Sequence, residues 1–255
     1  MEHCRPSFLG LIPARYASTR FPGKPLVDIG GKSMIQRVYE QASRVVRAVV
    51  ATDDSRIEAE VLRFGGEVVM TSPHHRSGTD RCAEALDIME VRLGEAFDVV
   101  LNIQGDEPFI RPEQLAQLMA CFEDEATQIA TLVRRMARPE DVFDPNQVKA
   151  LRDLSGRALY FSRSPVPFVR DASKEEWLSR YPYLKHIGMY AYRGAVLRQL
   201  AQLAPSALEV AESLEQNRWI EHGFCIRVAE TEDEGVSIDT PEDLERVRQS
   251  LSKLQ

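Results

Sequence analysis

The chain has 255 residues, 44% hydrophobic and 28% charged, with 39 acidic against 32 basic side chains and a net charge of −7. This composition suits a soluble globular enzyme, built as one large α/β domain or a domain with a substantial insertion, and it excludes disorder. The acidic balance argues against general nucleic-acid binding, which wants a basic face.

The first half alternates strand and helix patterns. Strands are expected at Phe8–Ile12, Ala48–Ala51, Glu67–Met70 and Asp98–Ile103, with helices at Ser33–Val45, Ser55–Phe64, Gly78–Met89 and Pro112–Phe122 between or after them. Ile57, Val61 and Phe64 recur at helical spacing, and Asp98–Ile103 is the near-continuous apolar run of a strand covered on both faces. The alternation predicts a doubly wound, mostly parallel α/β sheet.

From residue 129 the pattern changes. Ile129–Arg135, Val148–Leu151, Ala158–Phe161 and His186–Arg193 read as strands without regular crossover helices, and Asp153–Arg157 reads as a hairpin turn around Gly156. Pro165–Pro182 is long, polar and proline-punctuated, the pattern of a mobile loop. Helix Ala195–Leu203, helical segments over Leu208–His222, strand Cys225–Ala229 and helix Pro241–Leu251 follow. The expected division is an α/β domain at 1–129 and 223–255 and an inserted, smaller α+β region at 130–222.

Cys4, Cys82, Cys121 and Cys225 form no Cys-x-x-Cys pair, so zinc and redox motifs are unsupported. Residues 1–7 are polar, and the apolar run after them is too short for a signal core or a membrane span. The expectation is a cytoplasmic protein with reduced thiols and no membrane insertion.

The chemically richest stretch is Ile12–Pro25. An apolar strand stops, and Arg15, Arg20 and Lys24 follow within ten residues, among three prolines and two hydroxyls. Two readings are open: an ordinary charged surface loop, or a stiffened loop whose pre-ordered cations grip an anion. At the carboxyl end of a strand in an α/β sheet the second reading points to a nucleotide. Gly-x-Gly-x-x-Gly does not follow the strand, and Leu26 stands where a P-loop ending in Gly31-Lys32-Ser33 needs its first glycine.

Ile12–Leu26 resembles the nucleotide loop of the bacterial 3-deoxy-manno-octulosonate (Kdo) cytidylyltransferases. Four further segments match that family in order: Ser77-Gly78-Thr79-Asp80-Arg81, Asn102-Ile103-Gln104-Gly105-Asp106-Glu107-Pro108, Ala158–Arg163 and Asp239-Thr240-Pro241-Glu242-Asp243-Leu244. The resemblance covers nearly the whole chain. It implies a fold of the nucleotide-diphospho-sugar transferase kind, a homodimer built through the inserted region, and CTP and Kdo as substrates. The reaction implied is CMP transfer to the sugar's anomeric hydroxyl with release of pyrophosphate, a step toward lipopolysaccharide. It further implies that Pro13, Ala14, Arg15, Arg20, Lys24, Ser77, Gly78, Arg81, Gln104 and Asp106 bind nucleotide, with Ala14 and the Ser77–Arg81 segment reading cytosine. Arg15, Lys24, Asp106 and Asp239 would be the catalytic set. Ser77–Arg81 also reads simply as a helix N-cap.

Asp106 lies just past one apolar strand and Asp239 just past the short run Gly235–Ile238, and two carboxylates at strand ends can converge on one crevice. Mg²⁺ takes one or two carboxylates plus substrate oxygens and water. Glu107 competes with Asp106 for the role, and Asp239 also reads as turn chemistry ahead of a helix cap. The resemblance assigns Mg²⁺ to Asp106 and Asp239.

A sugar acid needs a cation, and Arg163 suits a bidentate grip as well as it suits a structural ion pair. The resemblance places Gln104, Arg163, His186, Tyr190, Glu209 and Gln216 around the sugar. A cytidylyltransferase for 8-amino-8-deoxy-Kdo or another 2-keto-3-deoxy sugar acid remains an alternative, and a non-catalytic nucleotide-binding regulator is a third.

Overall fold

The computed structural model describes residues 6–17, 21–233, 235, 238 and 240–252. In chain order the elements are β1 (Phe8–Ala14), α1 (Met34–Ala42), β2 (Arg47–Thr52), α2 (Ser55–Arg63), β3 (Val68–Met70), α3 (Gly78–Leu93), β4 (Val99–Asn102), α4 (Pro112–Ala120), β5 (Ile129–Arg135), α5 (Pro139–Phe143), β6 (Lys149–Arg152), β7 (Ala158–Ser162), α6 (Trp177–Arg180), β8 (Leu184–Arg193), α7 (Gly194–Leu200), α8 (Ala207–Glu212), α9 (Glu215–Glu221), β9 (Ile226–Glu230) and α10 (Pro241–Ser252). The chain divides into two compact units, Met1–Ala116 with Gly235–Gln255, and Gln117–Glu234.

In the first unit the strand order is β3-β2-β1-β4, and every pair is parallel. Val49–Ala51 on β2 and Val99–Leu101 on β4 are fully buried. Successive strand residues face opposite ways, so unbroken burial means both faces are covered. Side-chain oxygens of Ser33, Asp54 and Ser77 cap α1, α2 and α3 by accepting the N–H groups of Gln36, Arg56 and Asp80. Leu244 of α10 and Ile238 pack with Ile29 and Met34, which ties the C-terminal helix to this unit. The run Gly235–Ile238, expected as a strand, is described only at its two ends, and neither residue is in one.

The consequence for function lies in the order. β1 leads outward to β2 and β3 on one side, while β4 sits on its other side. Strand order reverses there, which opens a crevice beyond the carboxyl ends of β1 and β4, the usual ligand position in such sheets.

In the second unit β5 runs antiparallel to β8 and parallel to β9, and β6 pairs antiparallel with β7 and β8. The expected hairpin turn is present. Asp153 Oδ1 accepts from the N–H groups of Ser155 and Arg157, and Gly156 takes a φ of 83°. Helical structure over 208–222 is broken into α8 and α9 at Ser213, whose φ is 52°. The unit boundaries fall at 116/117 and 234/235, not at the expected 129/130 and 222/223. β9 is the reason: it pairs with β5 from Ile129 opposite Ile226 to Val133 opposite Glu230, so it belongs with the second unit.

The segment 165–182 is another difference. It holds a helical turn at Lys174–Glu176 closed by a Ser173/Glu176 capping box, and it then enters α6. Trp177 is buried with Met136, Val142 and Tyr183, and its ring meets those of Phe143 and Phe168 at 5.3 and 4.9 Å. One large aromatic overrides the polar, proline-rich composition around it. Trp177→Ala should therefore cost about 3 kcal/mol of unfolding free energy in urea. A loss under about 1 kcal/mol would mean the segment is a loosely held loop.

Candidate nucleotide and sugar sites

A cleft of about 270 Å³ opens at the strand-order reversal of the first unit, lined by Pro13, Ala14, Arg15, Lys24, Pro25, His75, Arg76, Ser77, Gly78, Arg81, Gln104, Gly105 and Asp106. Three chain segments meet at Pro13. A Cβ on Gly78 would stand 3.3 Å from the Pro13 ring, and one on Gly105 would stand 3.1 Å from the Pro13 carbonyl oxygen. Glycine at both positions lets α3 and the loop after β4 close on the end of β1.

Among the described residues the cleft walls carry four cations, Arg15, Lys24, Arg76 and Arg81. Lys24 Nζ donates to Asp106 Oδ2 at 2.8 Å, with both side chains largely covered. Gly23, at a φ of 70°, starts the helical turn that presents Lys24. Arg81 is buried, with Nη1 donating to Thr71 Oγ1 at 2.6 Å and Nη2 lying 3.3 Å from Asp53 Oδ2. Arg15 and Arg76 are exposed. Among the described residues Asp106 is the one carboxylate on these walls, so their described part carries excess positive charge and suits a polyanion. The N-terminus of the 16-residue α3 adds its own positive end there.

Pro13, Ala14, Arg15, Lys24, Ser77, Gly78, Arg81, Gln104 and Asp106 thus come together as the sequence predicts. Arg20 and Asp239 lie outside the described residues. Ile238, which precedes Asp239, donates its N–H to the Asp106 carbonyl at 3.1 Å. Among the described residues no three His, Cys, Asp or Glu side chains group as metal ligands. The partly exposed Asp106 carboxylate fits one protein ligand of Mg²⁺, an ion that draws much of its shell from substrate and water. Sequence reasoning missed Arg76, although a cation directly before a capping serine was visible. It also assigned nothing to His75, which lines the cleft and is hydrogen-bonded to Glu84.

Five of the predicted sugar residues belong to the second unit. β8 carries two extra residues where Thr131 pairs with Tyr190 and Leu132 with Ile187. This bulge sets the His186 and Tyr190 rings 5.3 Å apart. Thr131 Oγ1 donates to the Met189 carbonyl at 2.8 Å and lies 3.1 Å from His186 Nε2. Burial pushes His186 down to about 3 and Tyr190 well above its ordinary value. Both are neutral near pH 7 and can act only as hydrogen-bonding groups.

Arg163 is committed to backbone: Nε donates to the Glu212 carbonyl at 2.7 Å and Nη1 to the Pro145 carbonyl at 3.0 Å. Glu212, which the sequence did not single out, accepts from Ser162 Oγ, Tyr160 Oη and the Arg163 N–H. Burial raises the Glu212 carboxyl, but these donors outweigh it and hold the group below its usual value. Glu209 closes a capping box with Ser206 and lies 3.3 Å from Arg218 Nε. Gln216 is buried, with its Nε2 unpartnered.

The sequence pattern of the family described as Cytidylyltransferase matches residues 9–232. The 3-deoxy-manno-octulosonate cytidylyltransferase of Parabacteroides distasonis is 56% identical over 244 residues, covering 94% of this chain and 96% of that protein. This chain belongs to the 3-deoxy-manno-octulosonate cytidylyltransferase family. The Aliivibrio fischeri (strain MJ11) member is 49% identical over 251 residues, covering 97% of this chain and all of that protein. A solved CMP:2-keto-3-deoxy-manno-octonic acid synthetase complexed with CTP is 43% identical, with a TM-score of 0.89 over 98% of this chain and 100% of that one. A 4-diphosphocytidyl-2C-methyl-D-erythritol synthase from Anaerococcus prevotii, at 14% identity and a TM-score of 0.60 over 96% of this chain, shares the mostly parallel α/β fold alone.

The low His186 value has a sign. A histidine depressed in the folded state resists the proton that the unfolded chain takes up near pH 6.5, so its contribution to stability is lost as pH falls from 6.5 toward 3. NMR should show the His186 imidazole neutral throughout pH 8 to 5. A midpoint near the ordinary 6.5 would contradict its burial.

Proposed function

We propose that this chain transfers CMP from CTP to the anomeric hydroxyl of 3-deoxy-D-manno-octulosonate, releasing pyrophosphate, as a step toward lipopolysaccharide. The observation that carries the reading is the cationic cleft at the strand-order reversal, in a chain 43% identical to a synthetase solved with CTP. The triphosphate lies against Arg15, Arg20, Lys24 and Arg76, whose positive charge stabilises the departing pyrophosphate. Pro13, Ala14, Gln104 and the Ser77–Arg81 segment hold the nucleoside. The acceptor hydroxyl attacks the α-phosphorus in line, and positioning with electrostatic stabilisation carries most of the rate.

Asp106 and Asp239 would hold Mg²⁺, which supplies neutralisation of charge around the α-phosphate when bound. Arg163, His186, Tyr190, Glu209 and Gln216 of the second unit contact the sugar. His186 and Tyr190 do so as neutral hydrogen-bonding groups, and Arg163 offers the carboxylate those N–H groups that backbone carbonyls leave over. The active form is a homodimer built through the second unit. The family resemblance, which implies a homodimer, supports this reading. Among the described residues no helix is long and apolar enough to cross a membrane.

Mixing the protein with CTP, Mg²⁺ and the sugar acid should release pyrophosphate in step with sugar consumed. Release that needs no sugar, or none at all, would overturn the assignment. Asp106→Asn and Asp239→Asn should each lower turnover by roughly a hundredfold or more while the protein stays folded. A wild-type rate at limiting Mg²⁺ in either variant removes that residue from the metal site. Arg76→Ala should raise the CTP requirement by about tenfold and leave the sugar requirement alone. Equal effects on both substrates would take Arg76 off the triphosphate. Sedimentation at micromolar concentration tests the dimer, and a single monomeric species with and without substrates defeats it.

A further inference from the structure

Two cations of the cleft, Arg15 and Lys24, adjoin residues that do not line it. Tyr16 follows Arg15, and Gly23 precedes Lys24. The Gly23 N–H donates to the Tyr16 carbonyl at 2.9 Å, and the Leu26 N–H donates to the Gly23 carbonyl at 2.9 Å. Gly23 lies so close to the Tyr16 ring that a Cβ there would stand 3.1 Å from it. The guanidinium of Arg56, at the start of α2, sits 3.3 Å from the Tyr16 ring centroid. Arg56 is itself aimed: Nε donates to Asp54 Oδ1 at 2.9 Å and Nη2 to Oδ2 at 2.6 Å, while Asp54 Oδ1 also caps α2.

We propose that Arg56 is a positioning residue for the nucleotide loop, clamping the Tyr16 ring so that Arg15 and Lys24 are presented to the cleft. The reasoning runs along one continuous line of contacts. The capping carboxylate of α2 fixes a planar fork, the fork lies over an aromatic face, and that aromatic side chain and its carbonyl seat the glycine that begins the Lys24 turn. Guanidinium over an aromatic ring is a directional contact, and two bonds to one carboxylate remove the freedom an exposed arginine otherwise has. A single exposed ion pair would contribute little. Here the pair orients a third group, and that group fixes backbone on which two phosphate-binding cations depend.

The inference rests on the nucleotide reading of the cleft, but its first test does not. In the free protein, Arg56→Ala should speed amide exchange at Gly23 and Leu26 by about two- to fivefold, the range expected for one exposed cation–π contact. Tyr16→Leu should do the same, and Tyr16→Phe, which keeps the ring face, should keep the protection. The Arg56→Ala/Tyr16→Leu double variant should exchange no faster than Tyr16→Leu alone, because both changes remove one interaction. Unchanged exchange in Arg56→Ala, or a double variant equal to the product of the singles, overturns the clamp. In calorimetry Arg56→Ala should weaken CTP binding by a similar factor, with Arg63→Ala on the exposed side of the same helix unchanged. Undiminished CTP affinity in Arg56→Ala would overturn the functional part of the proposal. A wild-type protein that binds no CTP would overturn the cytidylyltransferase reading, while amide exchange still decides the clamp.

Discussion

Pro13 is approached from two sides by backbone that carries no side chain. Gly78 opens α3 and Gly105 follows β4, and an added methyl at either would meet Pro13 within 3.3 Å. That close approach lets the end of β1, the start of α3 and the Gln104–Asp106 loop form one wall. The order β3-β2-β1-β4 puts these segments side by side, and the glycines let them touch. Arg15, Arg76 and Asp106 each stand within two residues of this contact.

The electrostatics follow from that scaffold. Arg81 is spent inward on Thr71 and Asp53, so it supports the cleft wall. Lys24 and Asp106 are paired at 2.8 Å, which sets the cation proposed for the triphosphate beside the carboxylate proposed for the metal. Arg15 and Arg76 remain exposed at the rim. A polyanion entering the cleft meets Lys24 already held by Asp106, a cation whose placement folding has fixed in advance. The second unit supplies a different chemistry: neutral hydrogen-bonding groups at half-buried His186 and buried Tyr190, brought together by a bulge in β8.

The parallel core was legible because Val49–Ala51 and Val99–Leu101 are unbroken apolar runs, and parallel strands buried on both faces leave that signature. The cleft was legible in part: strand ends and a helix cap mark its place by pattern, and the family resemblance supplied its residue set. Pairing between distant strands was not legible. Nothing local in Ile226–Glu230 says that it runs beside β5, and so the boundary near residue 222 was drawn too early. Trp177 was hidden by its polar, proline-rich neighbours, since one buried aromatic leaves no periodic trace. Glu212 gathers donors from β7 through tertiary contact alone, and the commitment of Arg163 to carbonyl groups became visible only with it.

The central claim is that the cleft at the strand-order reversal is a triphosphate site built on fixed cations. Calorimetric titration with CTP and with CMP, at one ionic strength and in the presence of Mg²⁺, tests it directly. The account predicts that CTP binds at least about a hundredfold more tightly than CMP, since the β- and γ-phosphates carry the charge-assisted contacts. It also predicts that Lys24→Met removes most of that difference. Equal affinity for CTP and CMP, or a preference untouched by Lys24→Met, would contradict it.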